Sequence, residues 1–484
     1  MRRLAVLGCL LLGACAHVLH PERQEWFELR STHFLVRSDL PKEEAARAVI
    51  ELEEVRETFA RFISSSAPQP AGRMQVVQLA DTDELEEFVG RGIGGFATAD
   101  AFGRPITVMG VWRSSRPLPI LQHELAHLVS FSVLPRQPAW FAEGLATYFE
   151  TVRRDATKAV MVVGEPQAER VWLLDHRFPG GWRDMVDDKS IAVTYGFETA
   201  AWLLVHYLVD RRPKQFDAFM DLLATGKDPS AAFSTAFGEV TEGQLDKELH
   251  AYFRSGAIGT LSVRIPAWSG EIAVRRLAPA EIRALRGQVH ALVGNFQAAK
   301  REISQALSFD PGQPEAIATR AKLPGIERSE QVELARKASK LHPDDARAWI
   351  ALVDALPKTP GPERHEAAQA ALGAGPDEPA ALVAGAWDAI DAGEARQGAG
   401  YARGALSIAP WSIDAMEALA AATAGEGECE RAAELLERAV GMLGSHRSST
   451  DKADRLRARR ASFAAGAEAC QGAVRQAAIA DAEK

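Results

Sequence analysis

Four prolines constrain this chain more than any other feature. Pro311, Pro343, Pro376 and Pro410 stand 32, 33 and 34 residues apart, and five positions before each is an alanine: Ala306, Ala338, Ala371 and Ala405. Proline cannot continue a helix, so its regular return in an Ala-rich stretch marks the end of a recurring helical unit. A unit of that length holds two helices and cannot bury its apolar side alone, so successive copies must stack. An all-α solenoid is therefore expected over 278–447, with a charged, then Ala-rich, capping helix over 448–484.

The N-terminal half reads differently. Residues 27–30 and 33–37 alternate apolar and polar side chains on either side of a polar turn, as half-buried strands do. Pro41 opens a helix to about Ile63 whose apolar residues recur at three and four. Residues 74–79 read as a strand, 82–89 as a Glu-rich helix closing on Gly90, Gly92 to Gly103 as irregular, and 106–109 as a last short strand. This order predicts an α+β domain over 22–260, a small sheet packed on helices. Segment 153–182 is expected as a flap beside a cleft or a simple surface hairpin, and 261–277 as a linker.

The chemistry sits between Pro119 and Phe131, which contain His123-Glu124-x-x-His127. Histidines four apart share one face of a helix and can hold one metal ion. Glu124 falls on the flank, where a carboxylate can take a proton from a water that the metal activates. A hydrolytic zinc site needs a third protein ligand and one open position. Beyond Pro135 and Pro138 a second helix begins near Trp140 and carries Glu143, sixteen residues after His127, close to its start.

This pairing of His-Glu-x-x-His with a downstream Glu-x-x-Ala resembles the gluzincin metallopeptidases. The run Trp140-x-x-Glu143-Gly144-x-Ala146-x-Tyr148 resembles their aminopeptidase-type branch and the peptidase-MA-like domains of bacterial envelope proteins. The resemblance implies a zincin-like fold, one zinc held by His123, His127 and Glu143, and Glu124 as general base. It also implies that a tyrosine opening a later helix, here Tyr195, donates to the oxyanion. His176 is the second candidate for that role, and His206 stands three turns further along the same helix. In that family an extended peptide pairs with the sheet beside the cleft, a place expected here for Ile106 to Met109. Two departures matter. The Gly-x-Met-Glu-Asn motif that holds a substrate's amino terminus is missing before His123, which points away from an exopeptidase. Some gluzincins carry an acidic residue four after the glutamate ligand to orient a histidine; that place is Thr147 here.

Residues 1–15 read as a targeting segment: Arg2 and Arg3, an apolar run from Leu4 to Leu12, and a small-residue cleavage site. Leu12-Gly13-Ala14-Cys15 resembles a bacterial lipobox, which implies lipidation of Cys15 and a lipid anchor in the membrane; Ala16 favours the periplasmic face of the outer membrane. Cys9 leaves with the signal, so Cys429 and Cys470 remain as a disulfide or two buried thiols. The repeat, with Gly294 to Ala299 and Ala306 to Pro311, resembles tetratricopeptide units, whose groove would hold a protein partner. A net charge of −9 without clustered Lys and Arg argues against nucleic acid. The reading that follows is a lipid-anchored zinc endopeptidase of the cell envelope, acting on a protein or peptide substrate that its repeats recruit. The alternative is a catalytically inactive peptidase-like domain with repeats that scaffold envelope protein assembly.

Overall fold

Six strands form one sheet in the order β4-β5-β3-β2-β1-β9: β1 Phe27–Arg30, β2 Phe34–Ser38, β3 Met74–Leu79, β4 Gly95–Ala99, β5 Pro105–Gly110 and β9 Ala273–Arg276. The three central strands β5, β3 and β2 run parallel, and β4, β1 and β9 pair antiparallel at the flanks. The parallel pairs need crossovers, which include α1 (Lys42–Ile63) and α2 (Thr82–Val89). The computed structural model describes residues 25–465 and Cys470, apart from 64–71, 81, 91–94, 101–103, 111–117, 135–136, 156, 179–181, 183–184, 186–193, 239–241 and 444–449. Cys15 and the expected targeting segment lie outside the described residues. Among the described residues no helix is long and apolar enough to cross a membrane.

Period-two alternation sends the side chains of β3 into two layers. Met74 and Val76 join Phe34 and Val36 against Val49, Leu52 and Phe59 of α1. Val77 and Leu79 join Ile106 and Val108 on the opposite face, against Leu85 and Phe88 of α2. Leu277 closes that second face together with Ile282, Leu285 and Val289 of helix Pro279–Leu292. The first helix of the expected solenoid is therefore a cover for the sheet. Residues 261–277, expected as a linker, are built into the N-terminal half for the same reason: β9 extends the large sheet. The other strand of the stretch, Leu261–Val263, completes a smaller one. That smaller sheet has the order β6-β7-β8, with β6 Arg153–Asp155, β7 Val160–Val163 and β8 Leu261–Val263. A chain cut after residue 276 would lose about 1.5–3 kcal/mol for each of these covering side chains.

Two further expectations change. Ile106–Met109 lies in β5, between β3 and β4, and has no free edge; the edge on that side is β4. Gly95-Phe96-Ala97-Thr98-Ala99 is poor in strand-forming residues, and pairing with β5 overrides that local preference. The stretch expected as a flap or a surface hairpin does hold a hairpin, β6–β7, but it turns at Ala159 (φ 53°) into a β7 that is buried along its length and also pairs with β8, and it continues into α5 (Ala168–His176).

From Pro279 onward the helices come in successive pairs: 279–292 with 296–309, 314–321 with 328–341, 346–355 with 362–374, 379–391 with 395–408 and 413–425 with 429–443, followed by Thr450–Ala464. Each of the four spaced prolines comes two residues after a helix ends, and Ala306, Ala338, Ala371 and Ala405 are all fully buried. A larger side chain would hold the helices apart at those points. These are tetratricopeptide-like helical repeats. Cys429 and Cys470 are joined by a disulfide.

One polar network ties the repeats to the sheet. Glu315, Arg347 and Glu378, 32 and 31 residues apart, occupy matching places at or beside the starts of helices 314–321, 346–355 and 379–391. Arg37 of β2 and Arg347 each donate to Glu315 at 2.7 Å, and Arg104, just before β5, pairs with Asp100 at 2.7 Å and reaches Glu378 at 3.7 Å. Burial works against the charge on Glu315, yet Arg37, Arg347 and Arg104 hold its carboxyl far below the usual carboxylate range.

Candidate metal centre

Helix α3 (Leu118–Val133) is fastened by Leu125, Ala126 and Val129, which join the core beneath the sheet and leave His123, Glu124 and His127 half-buried. Gln122 donates to the Val152 carbonyl at 2.8 Å and Gln137 to Ser130 Oγ at 3.1 Å, so the chain returns at a set distance as α4 (Ala139–Phe149). Trp140 and Phe141 anchor α4 against Phe219 and Phe233. Gly144 lets it lie against helix Tyr195–Arg211: a Cβ there would stand 2.5 Å from the Ala201 carbonyl oxygen. Backbone cannot yield as a side chain can. Gly144→Ala is therefore expected to cost about 1–3 kcal/mol in a denaturant melt and, by moving Glu143 beside it, to lower metal content.

His123 Nε2, His127 Nε2 and a Glu143 carboxylate oxygen lie within 4.8 Å of one another. The two nitrogens are 3.1 Å apart, and Glu143 Oε2 is 3.4 Å from His123 and 3.6 Å from His127. A tetrahedral site with bonds of about 2.0–2.1 Å has edges of about 3.3–3.4 Å. The three separations fit three corners of such a tetrahedron, and two imidazoles with one carboxylate suit zinc.

His123 is aimed from behind. Its Nδ1–H donates to Glu150 Oε1 at 2.9 Å, which fixes the ring's orientation and turns Nε2 toward the shared point. Glu150 lies seven residues after Glu143, two turns along the same face, and takes the place that Thr147, four after and also buried, does not fill. That seven-residue step marks no ligand until His123 is placed opposite it, so no signal in the sequence alone singles out this carboxylate. Glu150 accepts in turn from Arg170 Nη2 at 3.0 and 3.1 Å and from Gln167 Nε2 at 2.5 Å, both contributed by the stretch expected as a flap. Burial alone would push His123 down, but Glu143 and Glu150 raise its pKa to about 10. Burial likewise pushes Glu143 up, and His123 and His127 hold it far below its usual range. Negative charge gathered around two imidazoles favours a cation between them.

Thr194 Oγ1 accepts from the Phe197 amide at 3.2 Å and caps the helix that Tyr195 opens. Tyr195 is 44% exposed, and the Arg170 guanidinium lies 4.6 Å above its ring. Burial raises its phenol above the ordinary value despite the neighbouring Arg170, so the hydroxyl keeps its proton at neutral pH. His176 is exposed, donates its Nδ1–H to the Trp172 carbonyl of its own helix at 2.8 Å and stacks on the Trp172 ring. His206 is buried between the Gly164 carbonyl, at 2.8 Å, and the Tyr252 hydroxyl, at 2.9 Å, where it serves the core.

Compared with known proteins, the chain matches no family and no curated protein. Solved structures similar to it include the MamA protein, at 20% identity and a TM-score of 0.25 over 36% of this chain and 96% of that one. A thermophilic TPR protein of Thermus thermophilus, TTC0263, gives 19% and 0.30 over 38% and 98%. Yeast Tom70 gives 12% and 0.28 over 60% and 63%. The repeat architecture rests on the chain's own helix pairs.

Proposed function

We propose that this chain is a zinc-dependent peptidase of the bacterial cell envelope, an endopeptidase anchored through a lipidated Cys15, with repeats that recruit a protein substrate or partner. The observation that carries this reading is the convergence of His123, His127 and Glu143 on one point, with Glu150 aiming His123 from behind. When bound, zinc supplies a Lewis acid that acidifies a water and polarises the scissile carbonyl. Glu124, next to His123 on α3, takes the proton of the attacking water and passes it to the leaving amine. The Tyr195 hydroxyl donates to the carbonyl oxygen as negative charge develops there. Among the described residues β4 is the last strand on its side of the sheet, and its edge would offer backbone groups to an extended peptide.

The experiment that tests this is elemental analysis of protein starting after Cys15, beside a His123→Ala variant. About one zinc per chain is expected, as for a single mononuclear site, and none in the variant. Folded protein that takes up no zinc after supplementation would leave the inactive scaffold as the reading.

A further inference from the structure

Arg170 is 3% exposed and meets three elements at once. It stands on α5, and its Nη2 donates to both oxygens of Glu150 at the end of α4. Its Nη1 donates to Thr199 Oγ1 at 3.1 Å on helix Tyr195–Arg211, with the Glu198 carboxylate at 3.5 Å on the same helix. Thr199 in turn donates to the Tyr195 carbonyl at 2.7 Å, and the guanidinium carbon lies over the Tyr195 ring, 4.6 Å from its centre. The Nη1 and Nη2 donors of a buried planar guanidinium can meet these acceptors together only in one orientation, which sets the place of the ring beside it.

We propose that Arg170 is a positioning residue that couples the metal-binding histidine to the oxyanion donor, through Glu150 to His123 on one side and through stacking on Tyr195 on the other. This rests on the zinc-peptidase reading above. In it, loading the site tightens the His123–Glu150–Arg170 chain and so sets the Tyr195 hydroxyl where the carbonyl oxygen must lie. The consequence is a phenol placed by the metal site itself rather than by its own helix alone, which leaves nearly half its surface in water.

The test uses the full chain after Cys15, labelled with 3-fluorotyrosine. The sequence holds five tyrosines, so Tyr195→Phe assigns the Tyr195 fluorine resonance, and the other four report whether each variant is folded. In the parent, zinc should shift the Tyr195 resonance. In Arg170→Gln that response should shrink while elemental analysis still finds zinc. Cleavage of fluorescent casein by Arg170→Gln should fall by about 10²–10³-fold, the loss seen on removing one oxyanion donor, and Arg170→Gln/Tyr195→Phe should fall no further than Arg170→Gln, because the pair acts as one unit. Arg170→Lys keeps a cation beside Glu150 but lacks the flat face, so it should reproduce the loss; it also carries the test if Arg170→Gln does not fold. An undiminished zinc response in the folded variants, additive losses in the double variant, or full rescue by lysine overturns the coupling. A parent chain that binds no zinc overturns the peptidase reading, and the coupling with it.

Discussion

Glu124→Gln is expected to keep its zinc and to lose hydrolysis by about 10²–10⁴-fold, the usual contribution of a general acid–base group. Glutamine has the same shape but cannot accept the water's proton or deliver it to the amine, so the step fails at one atom. His123, His127 and Glu143 are untouched by the change, and Glu150 still accepts the His123 Nδ1–H. Zinc per chain and the rate of fluorescent casein cleavage, measured on one preparation, decide the matter. A variant that cleaves as fast as the parent removes Glu124 from the mechanism; one that also loses its zinc makes Glu124 part of the metal-binding set.

The second large effect lies far from the metal. Glu315→Gln removes the buried carboxylate that Arg37 and Arg347 both donate to and that Arg104 faces, and leaves those guanidiniums their other partners, Glu28, Asp345 and Asp100. Breaking a buried pair from one side costs about 3–5 kcal/mol; with those partners kept, equilibrium denaturation at pH 7 should show a loss toward the lower end of that range. The pH dependence has a definite sign. The folded carboxyl sits below its ordinary value of 4.5, so its contribution is present above that value and is lost as pH falls toward the folded one. The gap between parent and variant should hold from neutral pH down to about 5 and narrow below it. Equal stability at pH 7 would mean that solvent already screens the cluster.

The repeats were legible because their signal is periodic: the four alanines and four prolines fall at a fixed place in the first four helix pairs, the alanines buried and the prolines just past a helix end. The donor trio was legible because two of its members lie one helical turn apart and the third follows a breaker. Glu150 and Arg170 were not, since their roles depend on how α4 and α5 cross, and a seven-residue step on one helix carries no meaning until a partner is placed behind it. β4 escaped for another reason. Glycine and alanine give no strand signal, and only pairing with β5 makes that stretch extended. The stretch from 261 to 277 looked like a linker because its polar, short strands find their partners more than 90 residues back in the chain.

The network at Glu315 also limits how such a chain could lengthen. A free-standing solenoid can duplicate a unit at any point, since each repeat touches only its neighbours. Here three successive units contribute Glu315, Arg347 and Glu378 to one cluster, in which Arg37 of β2 pairs with Glu315 and Arg104 beside β5 reaches Glu378. A copy inserted among them would carry Glu378 away from Arg104 and place the wrong charge opposite it. The Ile408 carbonyl, which accepts from the Gly72 amide, extends these ties to the fourth helix pair, so a unit inserted before it would have to break them.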